Sequence, residues 1–388
     1  MIKLFGDKII WWISILLCTA SVLLVYSSGG ASILITHITH LIMGVGLIFI
    51  FSRFNFRYFT NLSTILLISS ILMLLFLIIF PELDGNFISS LKGRWINFGI
   101  FTFQPSELAK YSLILFLCRN LFIHSDSINK FYYLLLYILL PTALTCVLII
   151  PFNLSTVILI LLIVIFLIFI SGYPINLFFK FIILPSFVLI TIFFSILILP
   201  NNPISDKLPR LTTWKNRICS ENFNYPPLSL VDCSSYDFEQ VYNNNYQIDK
   251  ALSAVNRGGY LGSGAGDSFY KKILPDSISD FIFAILLEEY GLFGGVSILL
   301  IYLLFYQRII ILSVKSNNDF SRLILLGLGT VILFQALLHM CVSVNLIPVT
   351  GQTLPLVSRG GSSIWVTSLA FGIILNISYQ INNQTGLK

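Results

Sequence analysis

Ten stretches of this chain approach the roughly 20 consecutive apolar residues that an α-helix needs to cross a bilayer. They lie near residues 9–27, 36–52, 60–81, 106–123, 131–150, 154–171, 174–200, 279–307, 321–345 and 362–383. A water-soluble protein carries about a quarter charged residues; here they are 10% of 388, hydrophobic residues are 56%, and the mean hydropathy is +0.90. In lipid every backbone N–H and C=O must find a partner inside the protein, and runs of this length do so as helices. The expected fold is all-α: a polytopic membrane protein of about ten transmembrane helices, one transmembrane domain over 1–388. The first run follows Lys3 and Lys8 and ends at Ser27-Ser28-Gly29-Gly30, so it has the look of a cleavable leader. The spans behind it make an uncleaved first helix the better reading.

Net charge is +6, and its distribution predicts how the chain is threaded. With the N-terminus in the cytoplasm, Arg53 and Arg57, Arg119 and Lys130, and Arg308, Lys315 and Arg322 all fall inside, as the positive-inside rule requires. Ten crossings then leave both termini cytoplasmic, and the partners are membrane lipids rather than nucleic acid. Three outer segments break the apolar pattern: 82–105, the large loop 201–278 between helices seven and eight, and 346–361. Their Gly and Pro content points to shaped or re-entrant turns, stable at the membrane only against protein or a wet cavity. Within the large loop, 219–245 is rich in Asn, Ser and Tyr and reads as a flexible insertion. No internal repeat of the transporter kind is visible. Of six cysteines, Cys18, Cys118, Cys146 and Cys341 sit in or beside spans as small apolar residues. Cys219 and Cys233 share the outer loop, where an oxidising compartment would permit a disulfide. The histidines (37, 40, 124 and 339) are scattered, and no metal site is expected from them.

A charge inside lipid costs at least ~2.5 kcal/mol, so the acids of Asp280, Glu288 and Glu289 stand out. Asp280 opens the eighth helix at the water side, where it is either a first-turn cap or a general base for a lipid-linked hydroxyl. On one continuous helix Glu288 would lie about 12 Å deeper and about 80° round, so the Glu pair is expected in a polar network with neighbouring helices. Pro105 suits a first helical position and Glu107 a first turn, and Glu107 can pair with Lys110 three residues on. Lys110 nevertheless enters an apolar helix, and with Arg94 and Trp95 it could hold an anionic head group. In Asn256-Arg257-Gly258-Gly259-Tyr260-Leu261-Gly262-Ser263-Gly264-Ala265-Gly266, the glycines offer either a phosphate cradle or a loop hinge. No strand–helix unit surrounds them, which excludes a dinucleotide fingerprint. Ahead of the last span, Arg359 could reach a pyrophosphate or rest among head groups, and Ser362 could cap the helix.

In this order, these segments resemble the SEDS family of cell-wall polymerases. The resemblance is carried by Gly93-Arg94-Trp95-Ile96, Gln104-Pro105-Ser106-Glu107-Leu108-Ala109-Lys110, Leu274-Pro275 with Ser279-Asp280-Phe281-Ile282-Phe283-Ala284, Glu288-Glu289-Tyr290-Gly291, and Pro348 through Ser363. It spans nearly the whole chain. The compact Gly262-Ser263-Gly264-Ala265-Gly266-Asp267-Ser268 run is more similar to the division branch than to the elongation branch. Thr213-Trp214-Lys215-Asn216-Arg217 resembles that branch as it occurs in Bacteroidota.

The resemblance implies a peptidoglycan glycosyltransferase that polymerises lipid II at the outer face of the bacterial cytoplasmic membrane. It implies a class B penicillin-binding transpeptidase and other divisome proteins as partners, and it assigns Asp280 the part of catalytic base. Arg94, Lys110, Arg257 and Arg359, in that order, are the cations expected to steady the departing pyrophosphate, with Trp95, Glu107 and Ser362 beside the substrate. A divalent ion (Mg or Mn) is the one cofactor the chemistry would accommodate. The chain departs from the family at Phe152-Asn153-Leu154-Ser155-Thr156, which loses an acid and a glycine, and at Asn256, His339 and Arg359. Rival readings are an elongation polymerase, a lipid II flippase and a non-catalytic scaffold. A flippase predicts polar residues through the full membrane depth, whereas here they crowd one face.

Overall fold

The computed structural model describes residues 5–80, 89–91, 94–99, 101–125, 131–173, 238–347 and 349–384. The expected span 174–200, the pair Cys219 and Cys233, and most of the 219–245 segment lie outside the described residues. In chain order the elements are α1 (Lys8–Ser52), α2 (Arg57–Ile79), β1 (Ser89–Leu91), β2 (Trp95–Asn97), β3 (Thr102–Phe103) and α3 (Pro105–Ile123). Then come α4 (Phe131–Leu134), which runs through a π-helical turn (Leu135–Leu139) into α5 (Leu140–Ile149), and α6 (Leu154–Ile170). After the undescribed stretch follow α7 (Phe238–Gly258), α8 (Ile282–Lys315), α9 (Asp319–Ser343) and α10 (Gly361–Gln384). The protein is a helical, multi-pass membrane protein, and among the described residues six helices are individually long and apolar enough to span.

Two of these helices are hairpins. In α1, Gly30 (φ 69°, ψ −174°) breaks the helix. Ser21 Oγ then lies 2.6 Å from His37 Nε2 and the rings of Trp11 and Phe49 lie 4.9 Å apart, although a straight helix would separate these pairs by about 24 and 57 Å. The first two expected spans are therefore antiparallel arms joined at one glycine. Gly291 (φ 65°, ψ −166°) does the same to α8. A methyl group on Gly295 would stand 2.4 Å from Leu287 Cδ2, whereas a straight helix holds those positions about 12 Å apart. The single span expected at 279–307 is thus a short arm, Ile282–Tyr290, folded back on a full crossing from 292 to 315. Glu288 and Glu289 stand beside the turn, not 12 Å deeper than Asp280 along one continuous helix.

A broken helix leaves backbone groups open, and at the membrane these must be filled. The glycine-rich loop fills them. Ser263 and Gly264 donate N–H to the carbonyls of Glu288 (2.9 Å) and Glu289 (3.0 Å), and the N–H of Leu292 donates to Gly259 O at 2.9 Å. A methyl on Gly258 would lie 1.9 Å from Leu287 O, and one on Gly262 (φ +86°) would lie 2.2 Å from Glu289 O. Of the two readings of these glycines, the structure supports a packed joint, since their backbone is spent on α8.

The three innermost helices are α3, α9 and α10, whose buried residues lie on every face. At one end of the bundle Asp7 caps α1 through Ile9 N–H (2.9 Å) and pairs with Arg308 Nε (3.0 Å). At the other end sit the antiparallel β1–β2–β3 sheet (Leu91 opposite Trp95, Ile96 opposite Phe103), the glycine joint and a buried re-entrant loop, 349–360. The small sheet was not expected from the sequence.

Candidate active site

The re-entrant loop is held from below by α9. Gln335 Nε2 donates to Thr353 O at 2.9 Å, and His339 Nδ1 lies 2.8 Å from Gln352 O, so that nitrogen carries the proton. Gln352 Nε2 donates to Thr156 Oγ1 of α6 at 2.6 Å. From the side, Ser358 Oγ donates to Ser279 O at 2.7 Å and Arg359 N–H donates to Ile278 O at 3.0 Å. This seam of backbone contacts sets residues 278–280 against the loop.

Two charges meet there. Gly351 has φ +65°, and a methyl on it would lie 3.3 Å from Asp280 Oδ2 and 3.5 and 3.6 Å from the two terminal nitrogens of Arg94. The positive φ favours glycine here, and a methyl would press on Asp280 while touching Arg94 at ordinary contact distance. Asp280 is half-buried, and its N–H donates to Asp276 O at 2.9 Å. The cap position of α8 is Phe281, whose side chain makes no cap hydrogen bond. Asp280 thus precedes the cap position, and its carboxylate lies beside the loop at Gly351 and acts on the charge of Arg94. Burial lowers the Arg94 guanidinium from its ordinary value, while the charges of Asp280 and Glu107 oppose that shift. Arginine remains protonated through such changes. Trp95 follows at the start of β2, half-buried.

Other expected site residues build the frame instead. Lys110 is completely buried, its ammonium 2.9 Å from Glu107 Oε2 and 2.7 Å from Gln335 Oε1. It is placed to lock α3 to α9, not to face a head group. Ser362 does not cap α10: its hydroxyl accepts the N–H of Gln104 at 3.1 Å, tying α10 to the entry of α3. Glu288 accepts Phe269 N–H (2.8 Å), the Ser268 hydroxyl and Arg257 Nη1 (3.3 Å), which fastens the loop after the glycine joint. Arg257 also lies over the Phe269 ring, so the structure groups it with Glu288. Glu289 accepts from Ser27, three residues before the α1 turn. Arg359 is exposed on the rim.

Gly351, Gln352 and Thr353 lie in the segment that carries the resemblance but were given no role of their own, and Gln335 was not singled out. The available signal was Gln335 and His339, polar residues four apart on one face of an apolar helix. A cleft of about 530 Å³ between the arms of α1 is lined by Trp11, Ile15, Leu23 and Val45 among others and holds none of the site residues.

A model of the FtsW/RodA/SpoVE family, described as cell cycle protein, matches residues 7–383. The chain belongs to this family, the SEDS proteins. Among its relatives is the "Probable peptidoglycan glycosyltransferase FtsW" of Buchnera aphidicola subsp. Baizongia pistaciae, 30% identical over 409 residues and 98% of this SEDS chain, 95% of the relative. The protein of the same name from Coxiella burnetii is 28% identical, covering 90% of this chain and 87% of its own. The fold matches a chain from a study titled "Structural coordination of polymerization and crosslinking by a peptidoglycan synthase complex", with TM-score 0.73, 22% identity, and coverage of 98% and 99%. It also matches a mutant of the rod shape determining protein RodA of Thermus thermophilus, with TM-score 0.63, 20% identity, and coverage of 97% and 98%. At these identities the structures speak for the fold.

Proposed function

We propose that this SEDS protein is a peptidoglycan glycosyltransferase of the FtsW type, which polymerises lipid II at the division septum. The observation that carries the mechanism is the convergence of Asp280 and Arg94 over Gly351. The acceptor's GlcNAc 4-hydroxyl attacks the anomeric carbon of a MurNAc, the bond to undecaprenyl pyrophosphate breaks, and the configuration inverts. Asp280 takes the hydroxyl proton as general base. Arg94 supplies fixed positive charge where the reaction develops negative charge.

Among the described residues no three His, Cys, Asp or Glu side chains gather in one place. Mg and Mn are commonly held by one or two carboxylates together with the substrate's own phosphates, so a divalent ion would be held by Asp280 and the pyrophosphate and would offset the charge of the leaving group. On this reading the protein sits in the bacterial cytoplasmic membrane with both termini inside and the site facing out, as the inward-falling basic loops favour, where lipid II and membrane lipids meet it. A class B penicillin-binding transpeptidase, within the divisome, is its expected partner.

The test is purified protein with fluorescent lipid II, alone and with its transpeptidase, and products resolved as glycan strands. Polymer is expected. Its absence under both conditions removes the enzymatic reading, and undiminished polymer from Asp280→Ala removes the assigned base.

A further inference from the structure

Next to the Asp280 seam lies a cluster that the reaction above does not use. Arg359 is exposed, is fixed by its backbone to Ile278 O, and has no ion-pair partner among the described residues. Its charge reaches His37 and His40 on the second arm of α1. The His40 ring covers the start of α10, since a methyl on Gly361 would lie 2.9–3.2 Å from three of its atoms. Trp365, one turn along α10, is 5.3 Å from His40 and 5.1 Å from Phe101 of the loop after β2.

The polar atoms of this cluster are unfilled. Trp365 Nε1, His40 Nδ1 and His37 Nδ1 are buried with no protein partner. The proton on His37 can be placed. Ser21 gives its hydroxyl proton to Val357 O (2.7 Å), so His37 Nε2 must donate to Ser21 Oγ, and Nδ1 of this fully buried ring is left an acceptor, which a donor and not an anion would fill. Native proteins rarely leave buried polar atoms without partners, and such atoms call for a ligand or water. An indole N–H can only donate, a guanidinium can only donate, and the N-terminus of α10 adds the positive end of a helix dipole. The complementary ligand is an anion rich in acceptors.

We propose that Arg359, Trp365 and His40 bind the phosphate groups of the polyprenyl-linked substrate and hold its pyrophosphate beside Asp280. This assignment rests on the glycosyltransferase reading and gives the pyrophosphate two cations, Arg94 beside Asp280 and Arg359 on the rim. The rim position suits a ligand that enters from the bilayer with its head group at the surface.

The experiment uses the full chain in nanodiscs and measures binding of undecaprenyl pyrophosphate, undecaprenol and inorganic pyrophosphate. Arg359→Leu is expected to weaken undecaprenyl pyrophosphate by about tenfold or more, the loss of a charge-assisted contact. Trp365→Phe keeps the ring and removes only the N–H, with an expected loss of roughly threefold to tenfold. Undecaprenol binding should not change, and Arg359→Lys should restore part of the loss. Inorganic pyrophosphate binding as tightly as the lipid would overturn the lipid assignment in favour of a free-phosphate site. Unchanged affinity in Arg359→Leu, Trp365→Phe and His40→Phe, with lipid II polymerisation intact in the wild type, removes the pocket and leaves the enzymatic reading standing. Wild-type protein that binds undecaprenyl pyrophosphate but makes no polymer has the opposite meaning.

Discussion

Asp280 and Arg94 depend on each other through a residue that contributes no side chain. Gly351→Ala places a methyl against both and strains a φ of +65°, so it should reduce polymerisation while the overall fold, read by thermal unfolding, is nearly kept. Asp280→Asn preserves shape and removes the base, and the expected loss of turnover is about 100-fold or more with lipid II binding retained. Arg94→Lys replaces a planar fork by a point charge. Glycan-strand assays should show it much closer to a leucine substitution than to wild type. Asp280 stands out in the sequence because a carboxylate at a membrane boundary is conspicuous, but its residue type leaves cap and base open, and only the family resemblance gives it the part of base. Gly351 does not stand out, because the lack of a side chain leaves no chemical signal in the sequence.

Among the helices, the buried Glu107–Lys110–Gln335 lock makes the sharpest stability prediction. Lys110→Met strands a carboxylate in an interior with no other cation at bonding distance, and should cost about 3–5 kcal/mol. The double change Lys110→Met with Glu107→Leu removes both charges and should recover much of that loss. Denaturant unfolding in micelles, run as a double-mutant cycle, reads the difference. The sequence showed the two residues three apart and therefore paired. It did not show Gln335, since a contact between residues 225 apart depends on how α3 and α9 pack. The α1 hairpin was legible as two spans with Gly30 between them, whereas the turn in α8 was hidden. Hydropathy reports whether a residue tolerates lipid and is blind to direction, so Gly291 read as an ordinary small residue inside an apolar run. Gly262→Ala, with its methyl 2.2 Å from Glu289 O, should destabilise by roughly 1–3 kcal/mol as overpacking against rigid backbone. Polymerisation should fall with it.

For the whole molecule, composition was enough to give a multi-pass helical protein, because runs of apolar residues have few ways to satisfy their backbones in lipid. Nine of the ten expected crossings are present among the described elements: two arms of α1, then α2, α3, α4 with α5, α6, the long arm of α8, α9 and α10. The direction of threading is open to a chemical test. In a cysteine-free background, Ala265→Cys should react with an impermeant maleimide on intact spheroplasts, and Asn317→Cys only after permeabilisation. Both positions are exposed, so a reversed pattern would invert the assigned orientation. The glycine joint also bears on how the protein is made. Residues 258–264 leave the ribosome before the arm they complete, so the amides that satisfy Glu288 and Glu289 precede those carbonyls into the membrane. The short arm can therefore be sealed as it arrives, and the break at Gly291 need not wait in lipid for its partners.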